Sequence, residues 1–141
     1  MELNLFCRII IVIYITNGEI INTKDMSLHD DILEELSFDR KNKKLHLILF
    51  RECDNRKISM FFLNVIAFEM TACDFRGESP YIFDFEYIAP DERTIIPKLF
   101  ERKENFDDPA CTLGYPEMYM ETEMTFVSGD RLIIACESIV M

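Results

Sequence analysis

Over much of this chain apolar residues recur at every second position, the period of a strand with one buried and one wet face. Across residues 117–127, Met118, Met120, Met124 and Phe126 alternate with Glu117, Tyr119, Glu121, Glu123 and Thr125, which predicts a strand with one dry and one acidic face. Val127-Ser128-Gly129-Asp130 follows as a tight turn in which Gly129 can take a positive φ. Residues 132–140 then return as a second strand, closing a C-terminal hairpin. Leu45, Leu47 and Leu49 share one strand face and connect through Asp39-Arg40-Lys41-Asn42-Lys43 back to residues 32–38, predicting a second hairpin. Residues 57–68 are apolar on both parities, so they form either one central strand covered on both sides or a strand pair kinked near Asn64. After the Gly77-Glu78-Ser79-Pro80 turn, Tyr81, Phe83, Phe85 and Tyr87 alternate with Ile82, Asp84, Glu86 and Ile88, which predicts a strand with an aromatic face.

Between residues 90 and 116 the period fails. Prolines stand at 90, 97, 109 and 116, and a short helix opened by Pro97 is expected over 97–103. The fold class expected is mainly β: an antiparallel sandwich or strongly curved sheet of hairpins with at most one short helix, an α+β arrangement being the alternative. Residues 1–141 read as a single domain. The run 5–15 is apolar and rich in β-branched residues but is broken by Arg8 and is only eleven residues long. A spanning helix needs about 20 apolar residues, and no basic segment precedes the run as in a signal peptide. It is expected to be a buried N-terminal strand; alternatively residues 1–25 are an upstream extension and Met26 is the natural start.

Composition narrows the function classes. A chain of 141 residues, 49% hydrophobic and 29% charged, has the balance of one globular domain. Fifteen basic against 26 acidic residues give a net charge of −11, which opposes nucleic-acid phosphates and favours a basic partner. Residues 71–141 carry six basic and fifteen acidic groups, so most of the excess lies in the C-terminal half. Cys7, Cys53, Cys73, Cys111 and Cys136 form an odd set without a CxxC pair, which reads as buried reduced thiols and a cytoplasmic location. With only four glycines there is no phosphate-cradling or dinucleotide pattern, and no GxSxG elbow occurs.

Two sets of residues invite chemistry. His29, Asp30 and Asp31 with the distant His46 contain donor types that suit zinc or iron, and a small metal-dependent hydrolase using His29, Asp30 and His46 is one alternative function. Met60, Met70, Met118, Met120 and Met124 read as core filler at strand spacing in preference to an adaptable binding face. No cofactor, metal or catalytic residue is expected. The acidic positions Asp84, Glu86, Asp91, Glu92, Asp107, Asp108, Glu121 and Glu123 are the candidates for contact with a basic partner, with Tyr115 and Tyr119 as aromatic anchors. A structural, oligomerising module joined through residues 9–15 is a further alternative.

The Ser27-Leu28-His29-Asp30 segment followed by hairpin-spaced strands, the Gly77-Glu78-Ser79-Pro80 turn with its aromatic strand, and the closing Phe126-Val127-Ser128-Gly129-Asp130-Arg131-Leu132 hairpin resemble small all-β bacterial proteins of the polymorphic-toxin immunity type. The likeness covers residues 27–141. It implies a cytoplasmic single-domain binder that neutralises a cognate toxin by surface complementarity, without catalysis; from the charge and the short apolar run, neither nucleic acid nor membrane is expected as a partner.

Overall fold

The alternation described above is realised as ten strands and one helix among the described residues, which in this computed structural model are 14–16, 19–21, 28–71, 81–105 and 114–141; side chains are described from residue 28 onward, without 103–105. The strands are β1 (Tyr14–Thr16), β2 (Glu19–Ile21), β3 (Ile32–Asp39), β4 (Lys44–Arg51), β5 (Arg56–Leu63), β6 (Ala67–Met70), β7 (Ile82–Tyr87), β8 (Met120–Phe126), β9 (Arg131–Cys136) and β10 (Ser138–Val140), with helix α1 (Ile95–Asn105) between β7 and β8. They form two antiparallel sheets, one in the order β2-β1-β10-β5-β4-β3 and one in the order β6-β9-β8-β7. Among the described residues the fold is thus the mainly β sandwich with one short helix.

The leucines of β4 show why the sheets face each other. Leu45, Leu47 and Leu49 are fully buried, and with Met60 and Phe62 of β5 they pack against Ile82, Met120, Met124, Phe126, Leu132 and Ile134 of the second sheet. Burying one such side chain contributes about 1.5–3 kcal/mol. The methionines Met60, Met120 and Met124 are core, as expected. A separate apolar cluster lies on the outer side of the second sheet, where Ile95 and Ile96 of α1 cover Tyr119, Ile133 and Ala135. The layers are therefore sheet, sheet and helix, and the helix covers only part of its sheet.

One strand ribbon passes through both sheets. β5 pairs with β10 in the first sheet and β6 with β9 in the second, and both chains turn the corner at the same level. Asn64 takes a left-handed φ of 50° there, which asparagine tolerates better than other non-glycine residues. Its Nδ2 donates to Glu137 Oε1 at 2.9 Å, while the Glu137 backbone N–H donates to the Leu63 carbonyl at 3.0 Å. The kink expected near Asn64 is present. Residues 132–140, expected as one strand, are divided by the same corner into β9 and β10.

On the opposite side the sheet edges meet through an Ile32–Tyr81 bridge. The Asp30 N–H donates to the Ile82 carbonyl, and the Ile82 N–H donates to the Asp31 carbonyl, each at 2.8 Å. Asp31 is 2% exposed and is held by Arg51 in a two-pronged pair of 3.0 and 2.9 Å. Removing one partner of such a pair costs about 3–5 kcal/mol because a buried charge is left behind.

Four further expectations are corrected. Phe83 does not join an aromatic inner face: the β7–β8 register shifts between Ile82 and Asp84, so Ile82 and Phe85 turn toward the core and Phe83 is 58% exposed. Glu117 and Met118 belong to a 3-10 turn, Pro116–Met118, that precedes β8. The helix begins at Ile95, two residues before Pro97, and runs to Asn105. Of the cysteines, Cys136 is buried and burial pushes its thiol pKa up, whereas Cys53 is exposed in the β4–β5 turn and so departs from the expected buried set. Cys7, Cys73 and Cys111, and all of 9–15 except β1, lie outside the described residues.

Candidate functional site

The outer face of the second sheet is where the acidic candidates are sorted. Residues directly opposite one another in a sheet share a face. Glu86 of β7 lies opposite Glu123 of β8, Glu123 opposite Ile133 of β9, and Ile133 opposite Glu69 of β6. Three carboxylates thus stand in one row across all four strands. Together with Glu92 and Thr94 from the chain entering α1, Lys98 of α1 and Arg131 of β9, the row lines a groove of about 360 Å³.

The charges in the groove are only partly compensated within the chain. Arg131 places NH1 3.2 Å from Glu123 Oε2. Glu86 and Glu123 nevertheless face each other as like charges on neighbouring strands, with Cβ atoms about 5 Å apart in such a pair, an arrangement that destabilises a sheet. The row is acidic but interrupted by the buried Ile133, and among the described residues no three His, Cys, Asp or Glu side chains are arranged to hold a metal ion. Its geometry suits an extended cationic group such as a lysine or arginine side chain, which takes carboxylate partners along its length and forms charge-assisted hydrogen bonds.

One row away, the same strand uses a carboxylate for a different purpose. Glu121 is fully buried. Its Oε2 accepts from the Thr94 N–H at 2.8 Å and from Thr94 Oγ1 at 3.1 Å; its Oε1 accepts from the N–H groups of Ile95 and Ile96, each at 3.0 Å. The first four N–H groups of a helix have no partner within it. Here one remote carboxylate takes three of them, and the fourth residue, Pro97, has no N–H to satisfy. α1 has no acidic residue in its own first turn, so Glu121 also supplies the negative charge that complements the helix dipole.

These positions correct part of the expected contact surface. Glu121 is a structural cap and is closed to any partner. Tyr119 is 2% exposed, lies beneath α1 against Phe100, and accepts the Gly114 N–H on its hydroxyl at 2.9 Å; it is not a surface anchor. The parity of both matches Glu123 and predicts the wet face; the covering helix is what reverses the assignment. Glu86, Glu92 and Glu123 do come together in the groove. Asp84 is exposed beyond it, opposite Thr125, with Oδ1 accepting the Phe85 N–H. Asp91 is exposed in the turn Pro90–Glu92 and Tyr115 is 75% exposed. Asp107 and Asp108 lie outside the described residues. Glu69 was not singled out, although its place between Phe68 and Met70 gives the period-two signal that would have put it on the outer face.

The histidines do not form the alternative hydrolase centre. The His29 ring pairs its Nδ1 with the Phe83 carbonyl at 2.8 Å and lies 3.6 Å from Asp30. His46 bonds Ser59 Oγ through Nε2 at 3.1 Å and stacks on Phe61 at 4.2 Å, on the outer face of the other sheet. Asp31 is committed to Arg51. The proposed set of His29, Asp30 and His46 is dispersed by the fold: β4 carries His46 away while the β3–β7 seam holds His29.

Among the described residues no helix is long and apolar enough to cross a membrane. No protein-family model, no curated protein and no solved structure matches the chain.

Proposed function

We propose that this protein is a non-catalytic binding module that takes a basic element of another protein into the groove on its second sheet. The row Glu86–Glu123–Glu69 supports the reading, because Glu86 and Glu123 stand opposite each other as like charges at a cost in stability, Arg131 reaches only Glu123, and a further cation would offset what remains. In its finer form the partner is a toxin with a cationic cleft and this chain is its immunity protein, a cytoplasmic neutraliser. Acidic groups would then raise the association rate by steering and imitate the charge of the toxin's substrate.

A synthetic arginine-rich peptide is a direct probe, with affinity and association rate measured at several salt concentrations. The variant Glu69→Gln/Glu86→Gln is expected to bind at least tenfold more weakly than wild type, with a shallower salt dependence. Glu34→Gln/Glu35→Gln, on a strand of the other sheet, is expected to change affinity by less than about twofold, as for charges beyond a screening length. Equal losses in the two variants would reduce the binding to unspecific attraction by net charge and end the proposal.

A further inference from the structure

The β3–β4 hairpin presents the opposite kind of surface. Arg40, Lys41, Lys43 and Lys44 put four cations into five consecutive residues, all of them exposed, on a chain whose net charge is −11. The tip is rigid. Asp39 accepts the Lys41 and Asn42 N–H groups at 3.0 and 3.1 Å and the Asn42 side-chain amide at 2.7 Å. Lys43 is held in the left-handed region with φ 53°, and its carbonyl accepts the Val65 N–H at 2.8 Å, tying the turn to the corner between the sheets. A cationic loop already folded into its turn and tied to the corner by the Val65–Lys43 bond loses less conformational freedom on docking than an unstructured one.

From this pairing of a convex cationic tip with a concave acidic groove on one chain, we infer that the protein associates with itself, the Arg40–Lys41 tip of one copy entering the Glu69–Glu86 groove of a second. The inference rests on the groove being a site for a basic protein element, as proposed above, and names a second copy of this chain as an occupant. Because tip and groove are different patches, the contact is heterologous: it closes only if rotation brings each tip to the other's groove, and otherwise it extends into a chain of copies.

Net charge gives the association a distinctive salt profile. Two copies at −11 repel each other while salt is low. At about 0.15 M salt repulsion beyond roughly 8 Å is screened, and the direct tip–groove contacts persist. At about 1 M the screening length shrinks to roughly 3 Å and the contacts weaken as well. Self-association is therefore strongest at intermediate ionic strength.

Sedimentation velocity over a concentration series tests this on the full chain. Wild type is expected to sediment faster with increasing concentration at about 0.15 M salt, and to return toward monomer both well below and well above it. Arg40→Glu/Lys41→Glu, with acidic tip and acidic groove, and Glu69→Lys/Glu86→Lys, with both basic, should each stay monomeric. Their equimolar mixture restores two complementary contacts and should sediment as wild type does. The neutral pair Lys41→Gln and Glu86→Gln gives a second measurement, each expected to weaken association severalfold. Wild type that is monomeric at every salt and concentration, or folded charge-reversed variants that fail to complement one another, overturns the inference. If the arginine-rich peptide still enters the groove of a monomeric wild type, the proposed function stands alone; if the peptide fails as well, both fall.

Discussion

Glu121 and Glu123 are two residues apart on one face of one strand, yet they belong to different regions of the molecule. Glu121 lies opposite Ala135, which lies opposite Ala67. These small side chains let α1 come down onto the sheet, so the carboxylate is sealed against the helix start. Glu123 lies opposite Ile133, the last side chain of this row that α1 still covers, and through it Glu69; Glu123 and Glu69 themselves lie past the helix, where solvent enters. A carboxylate beneath the helix is a fold-holding group, while an identical one a row away reaches solvent and pairs with Arg131. The difference is made by what the next layer covers, since strand, face and residue type are the same.

The sharpest way to break this contrast is Glu121→Ala. It strands the N–H groups of Ile95 and Ile96 in a buried site and removes a charged cap, so a loss of about 3 kcal/mol is expected, or on the order of 10 °C in Tm. Glu121→Gln keeps one acceptor oxygen and should lose roughly half as much. Thermal melts followed by circular dichroism measure both; a Glu121→Ala variant as stable as wild type would show that the cap contributes nothing and that the two regions do not differ.

Much of the scaffold was legible in the period of the chain because pairing and parity are local properties. The alternating leucines of β4 and the Asp39–Lys43 connection specify their hairpin without reference to anything distant, and Asn64 advertises its kink. What lies on a face is not local. β8 has parity that separates Met124 from Glu123, but nothing within residues 117–127 states that a helix folds back over its first half. The helix itself sits in a proline-broken stretch whose own first turn lacks a capping acid, so its start at Ile95 becomes understandable only with Glu121 in place. The β7 bulge likewise shifts Phe83 outward without a glycine or proline to announce it. Three of the ten candidate contact residues therefore meet in the groove, and Glu69, which completes the row, comes from a strand the charge pattern did not highlight.

A smaller effect, of opposite sign, is expected on the open side. Glu86→Gln removes one of two like charges on adjacent strands and should leave stability unchanged or raise it by a few tenths of a kcal/mol, measured as a denaturant midpoint at low salt. Loss of more than about 1 kcal/mol would make Glu86 a structural group like Glu121, and the open half of the sheet would no longer stand apart from the covered half.

The smallest expected effect concerns Asp39, whose carboxylate also accepts backbone N–H groups but does so in open solvent. The Asn42 side chain, then the backbone N–H groups of Asn42 and Lys41 and the nearby charge of Lys44, hold its pKa below the ordinary 3.8. A carboxyl pKa depressed by folding contributes stability that is complete above the unfolded value and is lost as pH falls through the folded one. The contribution of Asp39 should therefore be constant from neutral pH down to about 5 and disappear below about 4. Asp39→Asn retains an acceptor for the turn but cannot titrate, so its stability should fall less than that of wild type between pH 5 and pH 2. Water competes for every bond Asp39 makes and salt screens its neighbours, so the difference between the two acid profiles should be slight and should shrink as salt is added. An acid profile unchanged by Asp39→Asn would mean that the same hydrogen-bonding pattern that fastens α1 through a buried carboxylate contributes nothing measurable once it is exposed.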